Sequence, residues 1–510
     1  MTRHPSRTRT FTALIAAGAI ALALASSAVR AQERSEDNPC GTPPPPKPAQ
    51  ASSAEAFQGM SAPVAPQRRT EKKNPPRPPT IAIKLKSGDP LDWNTDPNDI
   101  NNLLIWMKSK LEVNFTWEAK DLNEVDLTGE TAPLLYRTGH RAFSFTPDQR
   151  QRLRDYVMRG GTIIFDTCYG KAGFAESVRE EMAQIFPDHP LKQLALDHPV
   201  YHAYYPNAGM VQYTEGSGGH TGPAELEGIE VNCRLGVIFS PHDLSCGWDM
   251  HTNNIEGGSW IESEYALRLG ANIVSYATAT RDMGVSLTEA KAYVDESETT
   301  MDRFRVGQLI HEGEWRPDEV GLQNLLDQVG QKTALQISFA TEGVEPDAGE
   351  LSRYPFVYMT GHDEFTWSEA QVAAIRRYLA NGGFIFADAC CGREAFDVAF
   401  QREMGKVLRS SDGEGTPLAA LPPKHAIYSI HKTVDRVQYT EATHIRSRNV
   451  RDDGQPQLLG ATVNGRVAVV YSPIALNVGW RVNPVPYAVG YDPESALDLG
   501  MNVVMYAMTQ

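Results

Sequence analysis

A histidine behind a Thr-Gly pair and a cysteine behind an aspartate occur twice in this chain, each time at the end of an apolar run. Thr138-Gly139-His140 is followed by Asp166-Thr167-Cys168 and Gly170, and Thr360-Gly361-His362 by Asp388-Ala389-Cys390 and Gly392. A neutral imidazole beside a thiol can generate the thiolate that nucleophilic chemistry needs. A nearby carboxylate either orients the imidazole or raises the thiol pKa and suppresses reactivity. The candidate catalytic set is therefore Cys168, His140 and Asp166, with Cys390, His362 and Asp388 as its copy. His242 and Asp243 occur only in the first half, where the second has Ile474 and Ala475. A Cys–His–Asp arrangement of Cys168, His242 and Asp243 would thus leave one half active. Thr138, Gly139, Gly170 and His198, with Thr360, Gly361, Gly392 and His425, are candidates for holding a ligand.

The same residues also suit structural roles. Thr-Gly-His turns a chain after a strand, an aspartate at a strand end caps the following segment, and a small half-buried cysteine packs well. His198 and His425 each lie some thirty residues past a cysteine, but no tight spacing joins His140, His198 and Asp166 into a metal set. The six cysteines, Cys40, Cys168, Cys233, Cys246, Cys390 and Cys391, show no CxxC spacing and no zinc pattern. Neither a metal nor another cofactor is expected, and the vicinal Cys390-Cys391 pair reads as two unpaired thiols.

The elements that must position these groups are duplicated. At an offset of 222 residues, Leu135–Met182 matches Val357–Met404 with 17 identities in 48 positions. VQYTE at 211–215 recurs at 437–441, and SPHDLSCGW at 240–248 answers SPIALNVGW at 472–480. Within each copy, strands are expected at 81–85, 113–117, 133–138 and 162–165, with a helix over 100–111. Thr146, Pro147 and Gln149 spell a capping box with proline at the first helical position, and Ser368 and Gln371 repeat it. Gly160-Gly161 and Gly382-Gly383 suit left-handed C-caps. Residues 231–239 and 244–248 read as an antiparallel hairpin, and 262–277 as a final helix. Strand–helix–strand order predicts two tandem three-layer α/β/α domains of flavodoxin-like kind with mostly parallel sheets, at 79–280 and 304–510. A polar helix over 281–303 joins them.

Arg3, Arg7 and Arg9, an apolar run from Phe11 and small residues before Ala31 read as a secretory signal over 1–31, so the protein is expected in the periplasm or outside the cell. Residues 32–78, with Pro43 to Pro46, read as a proline-rich tether. The net charge is −15, and loss of the signal's four arginines makes it −19. Such a chain repels phosphate backbones and anionic lipid, which argues against nucleic acid and membrane-surface partners. No further apolar run is long enough to insert in a membrane.

The order TGH, then GG-strand-DxC-x-G, then a histidine loop, resembles the domain-of-unknown-function family 4159, over about 79–279 and 304–510. That family is bacterial, often exported or membrane-anchored, and without an established activity. Its fold is similar to class I glutamine amidotransferases and ThuA-like domains. The resemblance places Asp166–Gly170 and Asp388–Gly392 where amidotransferases carry a G-x-C-x-G nucleophile elbow, but with aspartate for the first glycine; their His-Pro-Glu signature has only an echo in Ser240-Pro241-His242-Asp243. The leading expectation is a non-catalytic exported module that binds a small molecule, glycan or envelope protein. A cysteine-dependent hydrolase or amidotransferase and an assembly scaffold are the alternatives.

Overall fold

A computed structural model of the chain describes residues 78–509 except 87–89, 128–131, 216–218, 251–258, 291–303, 319, 334, 340–342, 410–415, 447–453 and 482–484. The expected signal and tether, and Cys40, lie outside the described residues. None of the described helices is long and apolar enough to cross a membrane.

The first module contains β1 (Thr80–Lys86), β2 (Thr116–Asp121), β3 (Leu134–Gly139), β4 (Thr162–Thr167), β5 (Lys192–Gln193), β6 (Met210–Glu215), β7 (Thr221–Pro223), β8 (Glu227–Val231), β9 (Arg234–Ser240) and β10 (Ser259–Ile261). The second contains β11 (Phe304–Gln308), β12 (Ile337–Phe339), β13 (Phe356–Gly361), β14 (Phe384–Ala389), β15 (Ala419–Ala420), β16 (Leu459–Val463) and β17 (Arg466–Ser472). Their seven-stranded sheets run β2-β1-β3-β4-β9-β8-β5 and β12-β11-β13-β14-β17-β16-β15. The first five strands of each sheet are parallel, and the last two each pair antiparallel with the strand before. This is the flavodoxin-like order, in which strand direction of travel reverses between the first and third strands, and ligands gather at the carboxyl ends there.

Alternate side chains of the central strands enter opposite cores, which gives each module three layers. In the first, Tyr136, Ile164 and Ile238 meet the helices Asp99–Leu111 and Ser263–Ala290. Leu135, Ile163, Phe165 and Val237 meet Pro147–Met158 and Ala172–Ile185 on the other side. Every residue of β4 and β14 is buried, as continuous apolar strands covered on both faces must be.

Both capping boxes form: Thr146 accepts from the Gln149 N–H, Ser368 from the Gln371 N–H, and each glutamine answers the cap's own N–H. Gly160 and Gly382 follow those helices at φ 100° and 103°. Ser368→Ala should therefore cost about 1 kcal/mol, read as a lower midpoint in urea unfolding of the whole chain; an unchanged midpoint would contradict the role.

Three local expectations change. The second strand starts at Thr116, three residues late. The hairpin is β8 with β9, turning at Asn232-Cys233, while 245–248 form a short helix that Asp243 caps through the Cys246 N–H. The final helix of the first module runs unbroken over Ser263–Ala290, so it absorbs the start of the expected linking helix, whose remainder lies outside the described residues. The shared VQYTE diverges as well: it is strand β6 in the first module, but in the second it gives one bridge, Tyr439 to Tyr491, and the start of the helix Glu441–Arg446.

Candidate functional site

At the carboxyl ends of β3 and β4 the first module ties its loops together. The Asp166 carboxylate accepts from the Leu244 N–H at 2.7 Å, the Ser245 N–H at 3.2 Å and Thr138 Oγ1 at 3.1 Å. Asp388 does the same work in the second module, for the Leu476 and Asn477 N–H groups at 2.7 and 3.0 Å and for the Tyr358 hydroxyl. Among the described residues neither aspartate bonds a histidine. Burial drives both upward, Asp166 to about 7 and Asp388 to about 6. The aspartate of each Asp-x-Cys run is thus a loop anchor.

Gly139 and Gly361 are glycines because of close approach: a Cβ would lie 2.8 Å from Phe174 in one and 2.6 Å from the Gly313 carbonyl in the other. His140 is buried with Nδ1 3.4 Å from Asp92. Cys168 is fully buried, 3.4 Å from Thr95 Oγ1 and 3.6 Å from Asp96, which Cys246 also approaches. His242 does not join Cys168. Its Nε2 bonds Glu225 at 3.0 Å and its ring packs edge-on against Tyr213, while Asp243 accepts from the Tyr169 N–H. The Cys168–His242–Asp243 arrangement is therefore absent.

The elbow resemblance also shifts. Left-handed backbone falls at Tyr169 (φ 64°) and Cys391 (φ 54°), each followed by a left-handed glycine, Gly170 or Gly392, and so one residue beyond Cys168 and Cys390. His198 and His425 cap short turns, their Nδ1 atoms accepting from the Val200 and Ile427 N–H groups. His425 packs on Tyr506. His198 reaches across the molecule.

The two modules dock head to tail. The β8–β9 turn, at the amino end of the first module's parallel strands, lies on the carboxyl ends of the second module's strands. Glu230 on β8 is the hub: His198 Nε2 stands 2.9 Å from it, His362 Nδ1 2.6 Å, and the Arg393 guanidinium donates to it. Glu314 holds His362 Nδ1 from the other side at 3.1 Å. Beside this network Arg481 forms a bidentate pair with Asp318 at 2.7 and 2.8 Å and reaches the Asn232 carbonyl of the first module. Tyr276 stacks on Tyr487, and Lys192 pairs with Asp363.

Electrostatics follows from that crowding. Burial would raise Glu230, yet Arg393 and His362 hold it well below the usual carboxylate range. Burial would lower His362, yet Glu230 and Glu314 carry it well above the ordinary imidazole value. His198, buried beside Arg393, drops to about 4. Behind His362 lie Cys233 from the first module and Cys390 and Cys391 from the second, with all four donor atoms within 4.8 Å of one another. Burial pushes Cys233 to about 12 and Cys390 well above the usual thiol value. Hydrogen bonds from those two thiols, and then His362, hold Cys391 well below it.

In front of the network a cleft of about 330 Å³ opens between the modules, lined from one side by Lys192, Gln193 and His198 and from the other by His311, Glu312, Trp315 and Arg393. It lies at the reversal point between β11 and β13. Among the described residues no cysteine lines it.

The structure therefore brings together His198 and His362, which lie in different repeats, and joins neither to the aspartates of the Asp-x-Cys runs. Glu230, Cys233, Glu314 and Arg393 escaped the reading of motifs. A signal for two of them existed in the repeat itself: Glu230 and Cys233 fall opposite Thr462 and Gly465 in otherwise matching hairpins. No curated protein matches the chain. The profile of a domain of unknown function, DUF4159, matches residues 81–278 and again 305–508, and with most of its length so covered the chain belongs to that family as a tandem of two copies.

Proposed function

We propose that this chain is an exported, non-catalytic binding protein of the cell envelope that holds a small polar molecule between its two modules. The observation behind this is the cleft at the β11–β13 reversal point, where the fold gathers ligands, closed on its far side by the other module. Carboxylates outnumber lysine and arginine among its lining residues, which favours a ligand rich in hydroxyl or amine donors. Trp315 lines it with the Arg316 guanidinium 4.4 Å over its ring, and an aromatic ring suits the apolar side of a sugar-like molecule. The reading also draws support from Cys168 and Cys390, fully buried and outside the cleft, where a nucleophile has no access to substrate.

A test is thermal unfolding and calorimetry of the reduced chain against neutral monosaccharides, amino sugars and small amines, with Trp315→Ala alongside. At least one class should raise the midpoint of the wild type, and Trp315→Ala should weaken its binding by about tenfold or more. Silence across all three classes would count against the reading. So would binding that ignores Trp315.

A second reading rests on Cys391, whose thiol is held low and whose backbone is left-handed. It makes Cys391 a nucleophile with His362 as its base. Rapid alkylation of Cys391 below pH 7, slowed by His362→Ala, would favour it over a binder.

A further inference from the structure

We propose that Cys233, Cys390, Cys391 and His362 form a tetrahedral zinc site that fastens the first module to the second. The site is independent of what the cleft binds. Its donor set is three sulfurs and one imidazole nitrogen, a combination that structural zinc sites use. The Cys233 and Cys390 sulfurs are 3.2 Å apart, those of Cys390 and Cys391 3.8 Å, and all four donor atoms lie within 4.8 Å. Zinc with bonds of about 2.3 Å to sulfur sets tetrahedral sulfurs about 3.8 Å apart, so a shift of tenths of an ångström would seat it.

Three further observations point to a ligand here. His362 is buried, and its Nε2 makes no hydrogen bond of ordinary geometry while its ring neighbours the Cys233 and Cys391 thiols. Its Nδ1 is held by Glu230 and Glu314; this carboxylate–histidine arrangement fixes the tautomer and turns the other nitrogen toward a metal. Finally, Cys233 occupies a left-handed position (φ 62°) where the matching hairpin of the second module keeps Gly465 at φ 81°. A side chain with a Cβ is strained in that conformation, and strain retained where glycine was available marks a residue held for what its side chain does. The hairpin without the cysteine is the one with no module docked beyond it.

Binding would release whatever protons the three thiols and His362 Nε2 carry as the zinc–sulfur and zinc–nitrogen bonds form, with no oxidation. The site would turn the seam from a set of ion pairs into a coordinated joint, and would hold the cleft at one width.

The test uses the full chain, reduced and stripped of metal, titrated with Co²⁺ as a spectroscopic probe and then with Zn²⁺. One equivalent of Co²⁺ should give a sulfur-to-cobalt charge-transfer band and the visible bands of tetrahedral cobalt, all erased by one equivalent of Zn²⁺. Cys233→Gly restores the residue that suits the backbone, so it should fold at least as well, yet lower Co²⁺ affinity by about 100-fold or more. Glu314→Gln, which alters the group holding His362 Nδ1, should weaken it by about tenfold. Cys246→Val, the residue of the second repeat, should change nothing. The proposal falls if the reduced wild type binds no stoichiometric Co²⁺, or if Cys233→Gly binds it as tightly. It also falls if peptide mapping finds Cys233 disulfide-bonded to Cys390 and the reduced chain takes up no metal.

Discussion

Glu230→Ala should destabilise the chain by about 3–5 kcal/mol and split its unfolding into two transitions, one for each module. The side chain stands at the seam, 14% exposed, and answers three groups at once: His198 from its own module, and His362 and Arg393 from the other. Removing it leaves the Arg393 guanidinium, itself only 15% exposed, facing Asp197 and little else of opposite charge on the first module. An uncompensated buried charge is far costlier than the net worth of the pair it came from. Because that cost falls on the docked state alone, it subtracts from the coupling between modules and leaves each module's own core untouched.

Glu230→Thr, the residue the second repeat carries, should behave like the alanine variant, and Glu230→Gln should cost less because it keeps the acceptor and the shape. Calorimetry reads both the total and the splitting. A single transition within about 1 kcal/mol of the wild type would mean that the seam is held by Arg481 on the Asn232 carbonyl and the aromatic stack of Tyr276 on Tyr487, with Glu230 a bystander.

The fold was legible because local and global signals agree. Two capping boxes, two glycine pairs and two fully buried strands fix the same strand–helix–strand path twice, and the register of the repeat makes each copy a check on the other. What escaped was set by tertiary context. VQYTE is strand in one module and bridge-then-helix in the other, so the pentapeptide does not choose its own conformation. The strand-end histidines were found by type and position, but the partners of His362 were not, because Glu230 and Cys233 reach it from the other module. A single repeat contains no spacing that could reveal a site it completes only by docking. The asymmetry between repeats holds that information: residues that differ where the backbones match, such as Cys233 opposite Gly465 and Cys391 opposite Tyr169, mark what the seam requires.

Asp166→Asn should gain stability relative to the wild type as pH rises, most steeply between about 4 and 7. Asp166 sits at zero exposure among Asp96, Asp243, Cys168 and Tyr136, and the buried Lys84 is already paired to Asp99 at 2.7 Å. Burial lifts its pKa to about 7, against the pull of the hydrogen bonds from Leu244, Ser245 and Thr138. The unfolded chain would show an ordinary aspartate near 3.9. Its folded value is the raised one, so its stabilising contribution is complete below about pH 4 and is lost as pH climbs through about 7. Across that window the wild type should lose a few kcal/mol that the asparagine variant keeps. Asp243 is raised in the same cluster, so the two release their protons as a pair and the transition should be broader than one site would give. Asparagine also turns an N–H toward the Ser245 N–H, a penalty that does not depend on pH and displaces the two stability curves without altering their convergence. Urea unfolding of both chains from pH 4 to pH 8 measures the difference. Parallel curves would show that the carboxylate is ionised throughout, stabilised by its three donors despite burial, and that the loop anchor carries a full charge at every pH where the protein folds.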